Sequence, residues 1–186
     1  WDDFNPSLYA SENYGKTWQY LSSDLPAAPI NVVREDPANP EVLYVGTDMG
    51  VYISIDRGQH FQALGTEFPN VPVHDLAIQP EAKDLVIGTH GRSIYKLNIA
   101  NIQALTPEVQ AAAIHVFEMP KRKFSKNWGM KRAYTELKDP ELPVAFYTAV
   151  PGKMTWAVKT KDGLLLNNGQ ADCVKGMNSF TFALDF

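Results

Sequence analysis

Ser54-Ile55-Asp56-Arg57-Gly58-Gln59-His60-Phe61 stands 43 positions after Ser11-Glu12-Asn13-Tyr14-Gly15-Lys16-Thr17-Trp18. Both stretches read Ser-x-Asp/Asn-x-Gly-x-x-aromatic. The same offset pairs Pro29 with Pro72, Pro37 with Pro80 and Tyr52 with Tyr95. A period in the low forties, with several short strands in each unit, is the signature of propeller blades. The chain therefore reads as part of a repeat array, entered inside one repeat.

Each residue of the repeated stretch has a mechanical reason to be there. Asp or Asn can accept a backbone N–H two residues on and close a tight turn. Gly15 and Gly58 supply a positive φ that other residues adopt at a cost. Trp18 and Phe61 open the next strand, where a large ring can be buried between neighbouring sheets. The expected product is a rigid hairpin corner. A calcium loop needs a longer run of oxygen ligands and a closing Glu, and neither copy has them.

These residues resemble the Asp-box of bacterial neuraminidase repeats, over roughly residues 1–100. The first copy departs from the pattern by carrying Asn13 in place of Asp, which keeps the acceptor oxygen. The phrases Val32-Val33-Arg34-Glu35-Asp36-Pro37, Leu43-Tyr44-Val45-Gly46-Thr47 and Ile87-Gly88-Thr89-His90-Gly91-Arg92 are similar to the last blades of large secreted bacterial propellers of the glycosyl-hydrolase-like or sortilin-like type. The resemblance implies a secreted, periplasmic or cell-surface bacterial protein. Such a label describes a fold, and a fold alone does not give a function.

Bulk composition narrows the classes further. The chain has 186 residues, is 45% hydrophobic and 20% charged, as ordinary globular proteins are. A net charge of −4 argues against a general nucleic-acid binder, which shows a basic face. No apolar run is long enough to cross a bilayer as a helix. The single cysteine, Cys173, excludes an intramolecular disulfide and multi-cysteine zinc sites, and reads as a buried apolar thiol. The histidines show no metal-ligand spacing, and no cofactor motif is present.

Short runs rich in Val, Ile, Tyr and Leu mark the strands. Leu8–Ser11 and Thr17–Leu21 read as the last two strands of one blade. Asn31–Glu35, Val42–Gly46, Val51–Ile55 and His60–Leu64 make a complete blade, and Val73–Ile78, Leu85–Gly88 and Ile94–Asn98 give three strands of another. Residues 101–140 read as a linker, with a short helix opened by Thr106 and Pro107. Its polar loop carries Lys121, Arg122, Lys123, Lys126, Lys131 and Arg132, interleaved with Trp128 and Tyr134. Residues 141–186 return to strand signals at Val144–Val150, Met154–Lys159, Leu164–Leu166 and Ser179–Leu184. With an extended stretch over 114–118, they resemble a small immunoglobulin-like module. The fold class is therefore mostly β: terminal blades of an Asp-box β-propeller followed by a small immunoglobulin-like β-sandwich. So few blades do not close a ring, so self-association or further upstream blades are expected to complete it.

By analogy with the fold, ligands approach the end opposite the Asp-box corners. The candidate ligand-binding residues there are Asp48, Glu67, His90 and Arg92, with Asp24 in a neighbouring loop. Ser11, Asn13, Gly15, Trp18, Ser54, Asp56, Gly58 and Phe61 are structural. A two-carboxylate glycosidase needs paired Asp or Glu at set separations, and no spacing singles out such a pair. The expected role is a recognition scaffold for polysaccharide or peptide, non-catalytic in this segment. The alternatives are the C-terminal part of a sialidase-like or endoglucanase-like hydrolase with its catalytic residues mainly upstream, and a structural or cell-surface attachment module.

Overall fold

The computed structural model describes residues 7–21, 23–65, 68–121 and 141–183. The chain divides into two compact units, Trp1–Thr106 and Pro107–Phe186. Glu67 and most of the basic loop, from residue 122 to 140, lie outside the described residues.

The first unit is a succession of antiparallel meanders. Strands β1 (Tyr9–Ala10) and β2 (Gln19–Tyr20) form a hairpin. A four-stranded sheet follows in the order β3 (Ile30–Glu35), β4 (Leu43–Thr47), β5 (Gly50–Ser54) and β6 (Gln62–Ala63). A three-stranded sheet follows that, in the order β7 (Val73–Gln79), β8 (Asp84–Thr89) and β9 (Ile94–Asn98). Chain order equals spatial order within each sheet, which is how propeller blades are built.

Alternation along β4 explains how the middle blade is buried on both faces. Side chains of successive strand residues point to opposite sides. Tyr44 joins Val32, Val51 and Ile53 in a core shared with Val73, Leu76, Leu85 and Ile87 of the next sheet. Val45 points the other way, into a cluster with Leu21, Leu25 and Phe61. Each such side chain contributes about 1.5–3 kcal/mol of burial. A Cβ on Gly46 would lie 2.6 Å from Val32 Cγ1 and 2.8 Å from Val73 Cγ1. Glycine there lets the next sheet approach closely.

The two copies of the repeated corner differ in what surrounds their aromatic residue. Phe61 is 8% exposed because the β1–β2 hairpin packs over it. Trp18 was expected to be buried in the same way, but it is 64% exposed. No described sheet precedes the hairpin to cover the ring.

Residues 101–105, expected within the linker, belong to the first unit. Helix α1 (Ala100–Gln103) docks through a polar cluster at the β3–β4 turn. The Asn39 amide donates to the carbonyls of Gln103 and Leu105, both at 3.2 Å. Gln103 Nε2 donates to both Asp36 oxygens at 3.1 Å. The Tyr44 hydroxyl and the amides of Ala38 and Asn39 donate to the same carboxylate. Asp36 is only 3% exposed, so these donors replace the water it has lost. Burial and the neighbouring Asp36 charge push the Tyr44 phenol well above its ordinary range.

The second unit opens with α2 (Pro107–Ala111), at the position the Thr106-Pro107 signal indicates. Strands β10 (Ile114–Val116), β11 (Glu141–Thr148) and β14 (Gly176–Ala183) form one sheet in the order β10-β11-β14. Strands β12 (Gly152–Lys159) and β13 (Leu165–Cys173) form a hairpin. Trp156 of β12 stacks on Phe180 of β14 at 5.2 Å and meets Phe182 edge-on at 5.8 Å. Cys173 was expected to be a buried thiol. It is instead only partly buried at the end of the hairpin, with its thiol directed to the Gly152 carbonyl at 3.2 Å. Among the described residues its strand pairs on one side only, with β12. Among the described residues, no helix is long and apolar enough to cross a membrane.

Candidate binding corners at one end of the blades

The repeated corner sits between β1 and β2 and again between β5 and β6, and two side-chain-to-amide hydrogen bonds recur in both copies. Ser54 Oγ accepts the Gly58 amide at 2.7 Å, and Ser11 Oγ accepts the Gly15 amide at 2.7 Å. Asp56 Oδ1 accepts the His60 amide at 2.9 Å, as Asn13 Oδ1 accepts the Thr17 amide at 2.8 Å. The acceptor therefore reaches four residues on, where the sequence suggested two. Serine supplies the bond to glycine. Tyr14 and Arg57 share the left-handed conformation with the glycines that follow them. Asp56 Oδ2 also meets His60 Nδ1 at 2.7 Å. Partial burial raises the Asp56 carboxyl, but the His60 amide, the His60 ring and the Ser54 hydroxyl together hold it below the ordinary carboxylate value. All these groups are spent on holding the turn.

The other end of the blades is different. Strand β3 bulges between Ile30 and Val32, and β7 bulges between Val73 and Asp75. The bulges place Asn31 and His74 at equivalent positions. Strands β4 and β8 end on equivalent threonines, Thr47 and Thr89, and the next residues are Asp48 and His90. The Asp48 amide donates to the Pro29 carbonyl at 3.2 Å, and the His90 amide donates to the Pro72 carbonyl at 2.8 Å. Two corners with one backbone design thus carry two different polar pairs. Asn31 Nδ2 donates to Asp48 Oδ1 at 2.8 Å. In the next blade the rings of His74 and His90 stack at 5.3 Å with an interplanar angle of 23°.

Asp48 does not close its own turn. Thr47 does so, donating to the Gly50 carbonyl at 3.1 Å and accepting the Met49 amide at 3.0 Å. The carboxylate is left at the surface, held among the described residues only by Asn31. The following loop, Thr89-His90-Gly91-Arg92-Ser93, is one residue longer than Thr47-Asp48-Met49-Gly50. Thr89 ties it by donating to the Ser93 carbonyl at 2.6 Å. The longer loop leaves Arg92 exposed, with no hydrogen bond or ion pair among the described residues. Arg34 and Asp75 join the first strands of the two blades by an ion pair of 2.8 Å.

A small cavity of about 240 Å³ lies at the same end of the middle blade. Met49, Tyr52, Phe68 and Pro69 give it apolar walls. Sequence reasoning did not find it, because its walls come from two stretches of chain, one around Met49–Tyr52 and one from Ala63 to Asn70, that only the fold brings together. Asp24 does not join these corners. It accepts the Ser23 hydroxyl at 2.7 Å and the Phe61 amide at 3.4 Å, next to the repeated corner. The position of Glu67 lies outside the described residues. Among the described residues, no three His, Cys, Asp or Glu side chains gather as a metal site.

No curated protein matches the chain. The family model described as "Sortilin, neurotensin receptor 3" (Sortilin-Vps10) matches residues 6–106. That span covers the hairpin, both larger blade sheets and helix α1. The blade order, the repeated corner and this match agree, and the chain belongs to the sortilin/Vps10 family.

Proposed function

We propose that this segment is a non-catalytic recognition scaffold whose ligand, a peptide or a polysaccharide, is read by the corners of Asp48 and of His90 with Arg92. The observation that carries this is the contrast between the two ends of the blades. At one end the repeated corner keeps its serine, its glycine and its two side-chain-to-amide bonds. At the other, a shared backbone design presents Asn31–Asp48 in one blade and His74–His90 in the next. Repeat proteins use a constant frame and vary the residues on a binding face. Membership of a family of propeller-type receptor domains supports a binding role. Resemblance to secreted bacterial propellers supports placing the protein outside the cytoplasm.

The chemistry at the corners suits a polar ligand with both donors and acceptors. Asp48 offers acceptor lone pairs, the imidazoles offer either role, and Arg92 offers a planar set of donors. The adjoining apolar cavity has room for one side chain or one sugar edge. Peptide and glycan arrays probed with the full chain would find the class, followed by titration calorimetry. Asp48→Ala and Arg92→Ala should each weaken binding at least several-fold, while Asp56→Ala leaves affinity unchanged wherever the fold survives. Unchanged affinity in Asp48→Ala, His90→Ala and Arg92→Ala would remove these corners from the proposal.

A further inference from the structure

We infer that the open edge of β9 is a docking site for an extended polypeptide segment, which adds as the fourth strand of its blade. The template is the middle blade, whose third strand has that edge filled. There β6 pairs with β5 through Tyr52↔Ala63 and Ile53↔Gln62, and the Leu64 amide donates to the Val51 carbonyl at 2.9 Å. Strand β9 is the counterpart of β5. Gly88↔Ile94 and Ile87↔Tyr95 repeat Gly46↔Val51 and Val45↔Tyr52. The sheet order β7-β8-β9 stops where the middle blade has one strand more.

Backbone parity shows which groups face the gap. Ser93 turns its carbonyl toward Thr89, and the Ile99 amide donates to Lys83. Odd-numbered residues of this strand therefore bond to β8. Alternation then turns the N–H and C=O of Ile94 and Lys96 outward, as Val51 and Ile53 are turned toward β6. The side chains agree. Ile94 is 71% exposed, whereas its counterpart Val51 is 3% exposed. Lys96, the residue type that often guards an edge, is instead folded back onto Asp84 at 2.9 Å. Among the described residues the edge is thus unpaired, with Ile94 uncovered.

The chain itself specifies what fits. Its two fourth strands begin Trp18-Gln19-Tyr20-Leu21 and Phe61-Gln62-Ala63-Leu64. Both give aromatic-Gln-x-Leu. The occupant is a peptide segment of that pattern, running antiparallel to β9, with its Gln and Leu amides bonded to the strand. Affinity comes from the backbone and selectivity from alternate side chains, as in other strand additions. The edge starts at Ile94, directly after the loop of His90 and Arg92, and runs from there along β9 to Asn98; its backbone groups, not the side chains of the proposed corners, make the contact.

The test uses the full chain and a synthetic peptide of residues 58–65. Amide hydrogen exchange would be followed by NMR at millimolar peptide. Exchange at Ile94 and Lys96 should slow on the order of tenfold at saturation, with little change in β7 and β8. A peptide N-methylated at the positions of Gln62 and Leu64 should give no protection. This control leaves the protein's own fold untouched. Absence of protection by the unmodified peptide overturns the inference. It is overturned equally if the same amides become protected without peptide as the chain self-associates, because the occupant is then a second copy.

Discussion

Ser54 and Gly58 form the hydrogen bond on which the repeated corner turns, at 2.7 Å from the glycine amide to the hydroxyl oxygen. Ser11 and Gly15 make the same bond at the same distance. The two corners share a design but not a setting, and that difference separates local strain from packing.

Both glycines hold φ near +80°, so alanine at either position costs about 1–2 kcal/mol in backbone strain. At Gly15 an added Cβ meets only the Trp18 ring at 3.6 Å, which is ordinary contact. At Gly58 it meets Leu21 Cδ1 at 2.8 Å and Leu43 Cδ1 at 3.2 Å. Overpacking adds about 1–3 kcal/mol. Chemical denaturation should therefore show Gly58→Ala to be the more destabilising by at least about 1 kcal/mol. Equal losses would mean that the core between hairpin and blade yields to the extra methyl.

The Asp56 carboxyl carries a pH signature. Its folded-state pKa lies below the ordinary value of 3.8, so ionised Asp56 stabilises the fold above that value. The contribution is lost as pH falls through the folded-state pKa. Asp56→Ala removes the acceptor of the His60 amide and should cost about 1–2 kcal/mol at neutral pH. Asp56→Asn keeps that acceptor, as Asn13 does in the first copy, and should cost less. It should also flatten stability against pH between about 5 and 3. Urea midpoints across that range compare the variants directly. An Asp56→Asn profile that still falls like the parent's would assign the acid sensitivity to another carboxylate.

The blades were legible because their signals are local. Period, turn residues and alternation sit within a few positions of one another, and Ile94–Asn98 falls where the sequence placed it. Strand β13 was largely missed because Asn167, Asn168, Gln170 and Asp172 hide a strand covered on little of its surface. Helix α1 was missed for a different reason. Its anchor is Asp36, 67 positions from Gln103, and no local pattern reports so distant a partner. Asp48 and His90 were singled out from their loops alone. Their equivalence appeared only when the bulges at Asn31 and His74 were placed beside them.

Tyr44 should be invisible to alkaline titration until the protein unfolds. Burial is the larger cause of its raised pKa, and the Asp36 charge adds to it. A group raised in the folded state gives full stability below its unfolded value of about 10 and loses it as pH climbs beyond that value. Absorbance at about 295 nm, where phenolate forms, should show one of the eight tyrosines ionising together with the unfolding transition. Tyr44→Phe should remove that coupled step and cost about 1–2 kcal/mol for the lost bond to Asp36. A coupled step that persists in the variant would belong to another tyrosine.

Gln103 offers the sharpest test of the buried cluster, because of two changes of similar size there only one adds a group that titrates. Gln103→Leu removes the two donors to Asp36 but leaves those of Tyr44, Ala38 and Asn39. It should cost about 1–3 kcal/mol. Gln103→Glu places a second carboxyl where the donor was, about 3 Å from Asp36. Two carboxylates so close in a dry site cannot both ionise, so one takes up a proton at a pKa raised above its unfolded value. That protonated form is stable at low pH and loses stability as pH rises through the raised value. Gln103→Glu should therefore melt several degrees below Gln103→Leu at pH 8 and recover most of the gap near pH 5, where a carboxylic O–H can donate to Asp36. A gap of the same size at both pH values would mean that α1 swings away from the blade in this variant, taking its side chain into water and leaving Asp36 with its remaining three donors.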